Sequence, residues 1–563
     1  MRTTDTADLW YKNAIIYCLD VKTFLDSNGD GMGDLPGVAQ RVDYLAGMGV
    51  TCLWLMPFYP SPLKDNGYDV SDMFGVHPAL GDHGDVVELI HTARDRGIRV
   101  IVDLLVNHTS DQHEWFRQAR RSKDNPYRNY YVWRDDDPGD TSAEAMFPEA
   151  EDGIWTYEEK TEEWYLHHFF SHQPDLNTAN PEVRNAIAKA MGFWLQLGVD
   201  GFRVDAVPFA LNESTLKHLE DSDLAEPHDY LRALRSFLQR RSTTGGSAIM
   251  LGEVNMPYED QVAFFGGEGG DQLTMQFDFL GNQRTMLAMA RQDAGPIRQT
   301  LRERPSNLPV DTQFANFLRN HDELALDQLP EEEREEIFAA FGPEEDHQLF
   351  GHGLRRRLAS MFKGDPRRLK MSYSLLFALP GTPVLYYGQE IGMGEELSIE
   401  GRGAIRTPMQ WTSGKNGGFS SAVPSKLVSP LTEGSFGPRH VNVADSRRDP
   451  HSLLNHITHL AHIRRESPEI GWGSVELLEQ PNDAVVAYCC SWDEARTVLL
   501  HNLSPEPAVV PIRLEGEAPG TMLADLLENS TLELDADCRT EANLDGYGYR
   551  WLRVKREGDP RLI

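Results

Sequence analysis

The sequence predicts an α/β protein. It reads as a (β/α)8 barrel with an inserted lobe after the third strand, a helical insertion after the seventh, and a C-terminal antiparallel β-domain. Three observations predict it. Eight short apolar, β-rich runs alternate with longer amphipathic ones. Three of those runs end in a carboxylate: Asp205 in GFRVDAVPF, Glu253 in IMLGEV and Asp322 in NFLRNHDE. From about Trp472 the pattern changes to short alternating segments divided by turn residues. Alternation of strand and helix implies parallel strands closed by crossover helices, and such a barrel carries its active site at the C-terminal strand ends.

In chain order, the eight strands are expected at Ala14–Val21, Thr51–Pro57, Val100–Val106, Gly201–Val207, Ala248–Val254, Leu273–Phe279, Phe314–Asn320 and Pro383–Tyr387. Asp85–Arg96, Glu182–Leu197 and His451–Arg465 place apolar residues three and four apart and predict helices. Two connections are too long for a barrel. Residues 109–180, rich in Trp, Tyr, His and acidic side chains, form an inserted lobe beside the active site. Residues from about 323 to 368 form the second insertion, helical and charged, and its acidic run at Pro330–Glu333 reads as a solvated helix start. The barrel therefore takes 1–108 and 181–471. The segments SVELLEQ, AVVAYCCSW, TVLLHNL, AVVPIRL and YRWLRVK build a β-sandwich over 472–563.

Composition bounds the chemistry. With 54 Lys and Arg against 87 Asp and Glu, the formal charge is −33. Phosphate backbones and anionic membranes are repelled by such a surface, which excludes nucleic acid and membrane as partners and suits a neutral substrate. Five cysteines in 563 residues make no disulfide framework. Cys18 and Cys52 read as buried hydrophobes, and adjacent Cys489 and Cys490 on one strand should face opposite ways. No stretch is long and apolar enough to span a membrane, and the N-terminal segment lacks the basic-then-apolar pattern of a leader, so a cytoplasmic protein is expected.

A carboxylate at a buried strand end is costly unless it is paired or does chemistry. Three of them, with Arg203 and His321 alongside, suit glycoside chemistry, which needs one carboxylate as nucleophile and one carboxylic acid as proton donor. The loop Asp26-Ser27-Asn28-Gly29-Asp30-Gly31-Met32-Gly33-Asp34 spaces oxygen donors two residues apart, as a hard cation requires. It is not an EF-hand, since Gly37 stands where the twelfth-position Glu would be and a strand precedes the loop.

Four motifs in order, DLLVNH (Asp103–His108), GFRVDAV (Gly201–Val207), GEV (Gly252–Val254) and RNHDE (Arg319–Glu323), resemble the active-site motifs of the α-amylase superfamily. The resemblance implies Asp205 as nucleophile held ionised by Arg203, Glu253 as acid/base, and Asp322 binding the 2- and 3-hydroxyls with His108 and His321. SHQPDLN (Ser171–Asn177) resembles the tag of the group that contains oligo-1,6-glucosidase, α-glucosidases, sucrose isomerases and trehalose synthase. In that group the segment matching DNGYDVSD closes the first glucose pocket. Tyr68 would stack the sugar, Asp65 and Arg406 would take its outer hydroxyls, and Phe169 or Phe170 would line the same pocket. FLRNHDELAL, GLRRRLA, FALPGTPVLYYGQEIGMG, SLLNHI and LDGYGYRWLRV are most similar to segments of trehalose synthases, which isomerise maltose.

The implied activity is conversion of maltose to trehalose through a covalent glucosyl-enzyme, with α-glucosidase or transglucosylase action on maltose, sucrose or isomaltose as the alternative. Lobe closure near Trp155–Trp164 would keep water out. The family also implies a structural calcium at Asp26, Asn28, Asp30, the Met32 carbonyl and Asp34, and no organic cofactor. YCLDVKTF, SIEGRGAIRTPMQW and Phe209 (where Tyr is usual) depart from the trehalose synthase pattern at the barrel rim, where the acceptor binds. A small disaccharide is the expected partner, and a homo-oligomer is left open.

Overall fold

All eight expected runs form the closed parallel barrel. In the computed structural model the strands are Ile16–Leu19, Cys52–Leu55, Arg99–Leu105, Gly201–Asp205, Ile249–Gly252, Met275–Phe277, Gln313–Phe317 and Thr382–Tyr386, each parallel to its neighbours, with the eighth closing on the first. The structure describes residues 7–148, 150–212, 224–241 and 248–556. Residues 1–6 and 557–563, which belong to the expected barrel and C-terminal domains, lie outside that set. Seven of the eight strands are buried at every position because helices cover the outside and side chains fill the inside. Such burial on both faces explains why the sequence shows continuous apolar runs there rather than alternation.

The helices follow from caps as well as periodicity. The helix expected at Glu182–Leu197 spans Pro181–Leu197. Asn180 caps it by accepting from the Glu182 N–H at 2.9 Å, Pro181 occupies the first turn, and Gly198 ends it in the left-handed conformation at φ 112°. An Asn cap of this kind is worth about 1 kcal/mol. The other two expected helices run His83–Arg94 and Leu453–Arg465.

Between the third and fourth strands, a helix at Glu114–Ala119 precedes a small antiparallel sheet of Trp133–Arg134, Trp155–Glu158 and Glu163–Leu166. The QPDLN segment pins this lobe to the barrel: Leu176 N–H donates to Asn107 O at 2.7 Å, and Thr109 N–H to Pro174 O at 3.2 Å. The second insertion is less helical than expected. Its acidic run does start a helix, Glu331–Phe341, but Leu324–Ala325, Gln348–Leu349 and Gly353–Leu354 form a three-stranded antiparallel sheet beside it. Strands of two residues carry no readable alternation, which is why the sequence pattern hides them.

Five C-terminal strands were expected and eight are present among the described residues. Ser474–Leu477, Val485–Trp492, Ala495–Asn502, Tyr549–Lys555, Met522–Asp525 and Thr531–Glu533 make one sheet, and Ala508–Arg513 pairs with Arg539–Leu544 in another. Val485, Leu500, Val510 and Leu552 pack between them. Cys489 belongs to this sandwich core and Cys490 to the barrel-side core, so the adjacent pair does face opposite ways. The five cysteines are unpaired. The domain docks on the barrel helix Pro366–Ala378, where Ser374 Oγ accepts from Trp551 Nε1 at 3.0 Å and meets His501 Nε2 at 3.0 Å. No helix among the described residues is long and apolar enough to cross a membrane.

Candidate active site

The fourth and fifth strands bring two of the three carboxylates together. Gly201 starts the fourth strand at φ 150°, and a Cβ there would lie 2.5 Å from the Ile249 carbonyl oxygen, so only glycine lets the two strands approach this closely. The ladder runs one residue past the strands, with Glu253 N–H donating to Val204 O at 3.1 Å. Immediately after Asp205 the chain turns left-handed at Ala206, φ 50° and ψ 40°, and aims the Ala206 N–H at Glu253 Oε2, 3.1 Å away. A left-handed alanine costs roughly 1–2 kcal/mol, strain of a kind that gathers at functional sites.

Arg203 binds three acids at once. Its Nη1 meets Asp103 at 2.9 Å and is paired with Asp205, while Nη2 meets Glu253 Oε2 at 2.9 Å. Asp103, on the third strand, also accepts from Trp54 Nε1 at 2.7 Å and from Tyr68 Oη at 3.3 Å. Burial raises the Asp103 carboxyl to about 7, against the opposing pull of Arg203 and Trp54. Burial likewise raises Glu253 to about 7. Arg203 works against that shift, and the nearby Asp205 and Asp322 reinforce it. Asp322 goes the other way: burial opposes its ionisation, but His321, Arg402 and Arg406 outweigh burial and hold it well below the usual range. The site thus separates a carboxyl half-protonated near neutral pH from one that stays ionised.

Asp322 Oδ1 is gripped by Arg406 Nη2 at 2.7 Å and Arg402 Nη1 at 2.8 Å, and Oδ2 by His321 Nε2 at 2.9 Å. Tyr68 lies stacked on the His321 ring, centroids 5.4 Å apart, with its hydroxyl 2.8 Å from Nε2. His108 is buried, 3.3 Å from the Tyr68 carbonyl and 3.4 Å from Gln173 Nε2, with its ring against Phe169 at 5.2 Å. Asp65 is held by Gln173 Nε2 at 3.0 Å and Arg402 Nη2 at 3.5 Å, while Arg406 is turned inward onto Asp322 and the His321 carbonyl. Of the two phenylalanines, Phe169 lines the adjoining cavity, and Phe170 stacks on His172 at 5.2 Å and packs on Phe147.

A cavity of about 290 Å³ opens beside Glu253 and Asp322, walled also by Ala206, Asn255, Phe169, Phe209 and Arg402. From the lobe, Met146 and Phe147 reach it, whereas the Trp155–Trp164 stretch does not. Phe147 packs on Phe350 of the second insertion at 4.7 Å and under the Arg402 guanidinium at 4.9 Å, so the two insertions meet across the mouth. Arg402, Asp103, Gln173 and Phe147 escaped the sequence reading. Asp103 and Gln173 lie inside quoted motifs and were open to it; Arg402 and Phe147 lie in irregular segments without periodicity.

The loop Asp26–Asp34 holds its carboxylates by its own backbone. Asp26 accepts from Asn28, Gly29 and Gly31 N–H at 3.1, 2.6 and 2.9 Å and from Ser420 Oγ at 2.5 Å. Asn28 accepts from Asp30 N–H, Asp30 from Met32 N–H, and Asp34 from Ser27 and Gly37 N–H. The donor set is all oxygen, which fits a hard cation; Asn28 Oδ1, Asp30 Oδ1 and Asp34 Oδ1 each accept one N–H and keep a lone pair free, whereas both Asp26 oxygens already accept two hydrogen bonds. No three His, Cys, Asp or Glu side chains converge as a metal site among the described residues.

Comparison with known proteins gives the family. The α-amylase catalytic-domain model matches residues 18–337 and 346–473, and a sucrose hydrolase-like C-terminal domain model matches 495–553. Trehalose synthase/amylase TreS of Mycolicibacterium smegmatis is 38% identical over 99% of this chain and 95% of its own. Trehalose synthase of Pimelobacter sp. is 37% identical over 97% and 96%. The crystal structure of a trehalulose synthase MutB variant with Tris superposes with a TM-score of 0.74 at 26% identity, covering 97% of this chain and all of the other. The chain belongs to the α-amylase family of glycosidases and transglucosidases.

Proposed function

We propose that this enzyme isomerises maltose to trehalose by retaining glucosyl transfer. The observation that carries the proposal is the single guanidinium of Arg203 shared by Asp205 and Glu253. Two carboxylates held by one guanidinium are close, as in retaining enzymes, where the gap is about 5–5.5 Å. An Asp205 oxygen attacks C1 of the non-reducing glucose while Glu253 gives its proton to the departing 4-oxygen. The C1–O bond breaks and a glucosyl ester on Asp205 forms. The freed glucose turns within the closed cavity and offers its anomeric hydroxyl. Glu253, now a carboxylate, removes that proton, and the hydroxyl oxygen displaces Asp205 from C1. Two inversions leave an α,α-1,1 linkage.

In this reading Asp322 binds the 2- and 3-hydroxyls with His108 and His321, Tyr68 stacks the ring, and Asp65 and Arg402 close the pocket beyond the outer hydroxyls. Phe169 and Phe209 give the rotating glucose an apolar wall without a fixed donor. Relatives of similar length named trehalose synthase and trehalose synthase/amylase support the isomerase reading. Maltose incubated with the enzyme should give trehalose by NMR; glucose or longer oligosaccharides without trehalose would replace the reading with α-glucosidase or transglucosylase action. Free buried thiols and an acidic surface support a cytoplasmic setting. We also place a structural calcium in the Asp26–Asp34 loop, on its oxygen-only donor set. It would tie the loop to the Ser420 segment and take no part in the reaction.

A further inference from the structure

The barrel has a second built pocket at its opposite end. A cavity of about 450 Å³ is lined by the start of the seventh strand (Gln313, Phe314), by Gly381 just before the eighth, and by Lys12, Arg304 and Trp472. The catalytic carboxylates lie at or beyond the C-terminal ends of their strands, so the two cavities are on opposite faces of the barrel.

Lys12 is the anomaly. It is 8% exposed, yet its ammonium makes no hydrogen bond or ion pair with any described residue and sits over the Trp472 ring, 5.3 Å from the centroid. The acids around it are already neutralised. Asp311 is bound by Arg235 at 3.0 Å, and Asp278 is paired with Arg304. The pocket therefore keeps one net positive charge in a chain of net charge −33. Burial lowers the Lys12 pKa to about 8, against an opposing pull from Asp311, as expected of a cation that lacks its counter-ion.

The chemistry of the missing anion follows from which cation is free. A carboxylate would favour a bidentate guanidinium, but the Arg304 fork is used by Asp278, Asn316 and the Pro380 carbonyl. A lone ammonium is a point charge suited to a phosphate oxygen. The half-buried Trp472 indole, backed by Trp492 at 5.6 Å, offers an aromatic surface to a body attached to that phosphate. We propose that the pocket between the barrel base and the C-terminal domain binds a phosphate group, free or carried on a sugar, through Lys12 and Trp472.

The test uses the intact enzyme, with glucose 6-phosphate and inorganic phosphate titrated separately by calorimetry against wild type, Lys12→Met and Trp472→Leu. Maltose turnover of both variants, expected unchanged, reports that they fold. Wild type should bind saturably, and Lys12→Met should weaken binding at least tenfold. Tighter glucose 6-phosphate binding that falls to the inorganic phosphate level in Trp472→Leu identifies a sugar phosphate; equal affinities in wild type identify free phosphate. No binding of either probe, or binding unchanged in Lys12→Met, overturns the proposal.

Discussion

The barrel mouth and the loop after the first strand are both built on aspartates, and they treat the charge in opposite ways. At the mouth, Asp205, Glu253 and Asp322 are surrounded by side chains from distant strands: Arg203, His321, Arg402 and Arg406. In the loop, Asp26, Asn28, Asp30 and Asp34 are held mainly by backbone N–H groups a few residues away. The first arrangement shifts Glu253 and Asp322 in opposite directions and so prepares chemistry. The second shapes a turn through hydrogen bonds that span only a few residues. An acidic motif therefore becomes informative through the charges the fold brings to it from far away in sequence.

The largest expected effect is at the mouth. Asp205→Asn should lower kcat by at least about 10⁴-fold with an unchanged melting temperature, because it removes covalent chemistry and little packing. In Glu253→Gln, a glucosyl fluoride should label Asp205, read by mass spectrometry; label on Asp322 would reverse the assigned roles.

The raised pKa of Glu253 gives the next. Its protonated form is the acid, so kcat/KM should fall as pH rises through about 7. The linkage sign is that of a carboxyl raised on folding: its stabilising protonation is present below the unfolded pKa and lost as pH climbs to about 7. Glu253→Gln should therefore raise the melting temperature more at pH 8 than at pH 5. An equal rise at both would argue that Glu253 is not raised.

Arg402→Ala should shift products several-fold toward free glucose while leaving cleavage within about tenfold, since it takes away the cation between Asp65, Asp322 and Glu323 and the cover over Phe147. Chromatography of a maltose digest reads the ratio. Shortening Trp155–Trp164, which stays outside the cavity wall, should change it less.

The smallest effect belongs to the loop. Chelation, or Asp30→Ala without chelator, should lower the melting temperature by a few degrees through lost ligand linkage. Identical curves with and without chelator would place the loop with metal-free turns.

What the sequence made legible follows the same division. The barrel strands are mostly apolar and buried on both faces, so the order of element types could be read directly. Met522–Asp525 and Thr531–Glu533 could not, because they are short, and Arg539–Leu544 could not, because Arg539, Glu541 and Asn543 are exposed at alternate positions, like a polar turn. Of the site, the motif residues were readable, but their pairing was not. Arg402 and Arg406 are four apart in an irregular segment, and only the tertiary path decides which one reaches Asp65.

The most direct measurement of the central claim is a maltose reaction run with isotope-labelled free glucose in solution. Trapped glucose that turns within the cavity predicts trehalose as the main product with little label in it, since the acceptor never leaves. Trehalose labelled in proportion to added glucose would mean an open acceptor site, and label-free glucose without trehalose would mean that water, not sugar, takes the glucosyl group from Asp205.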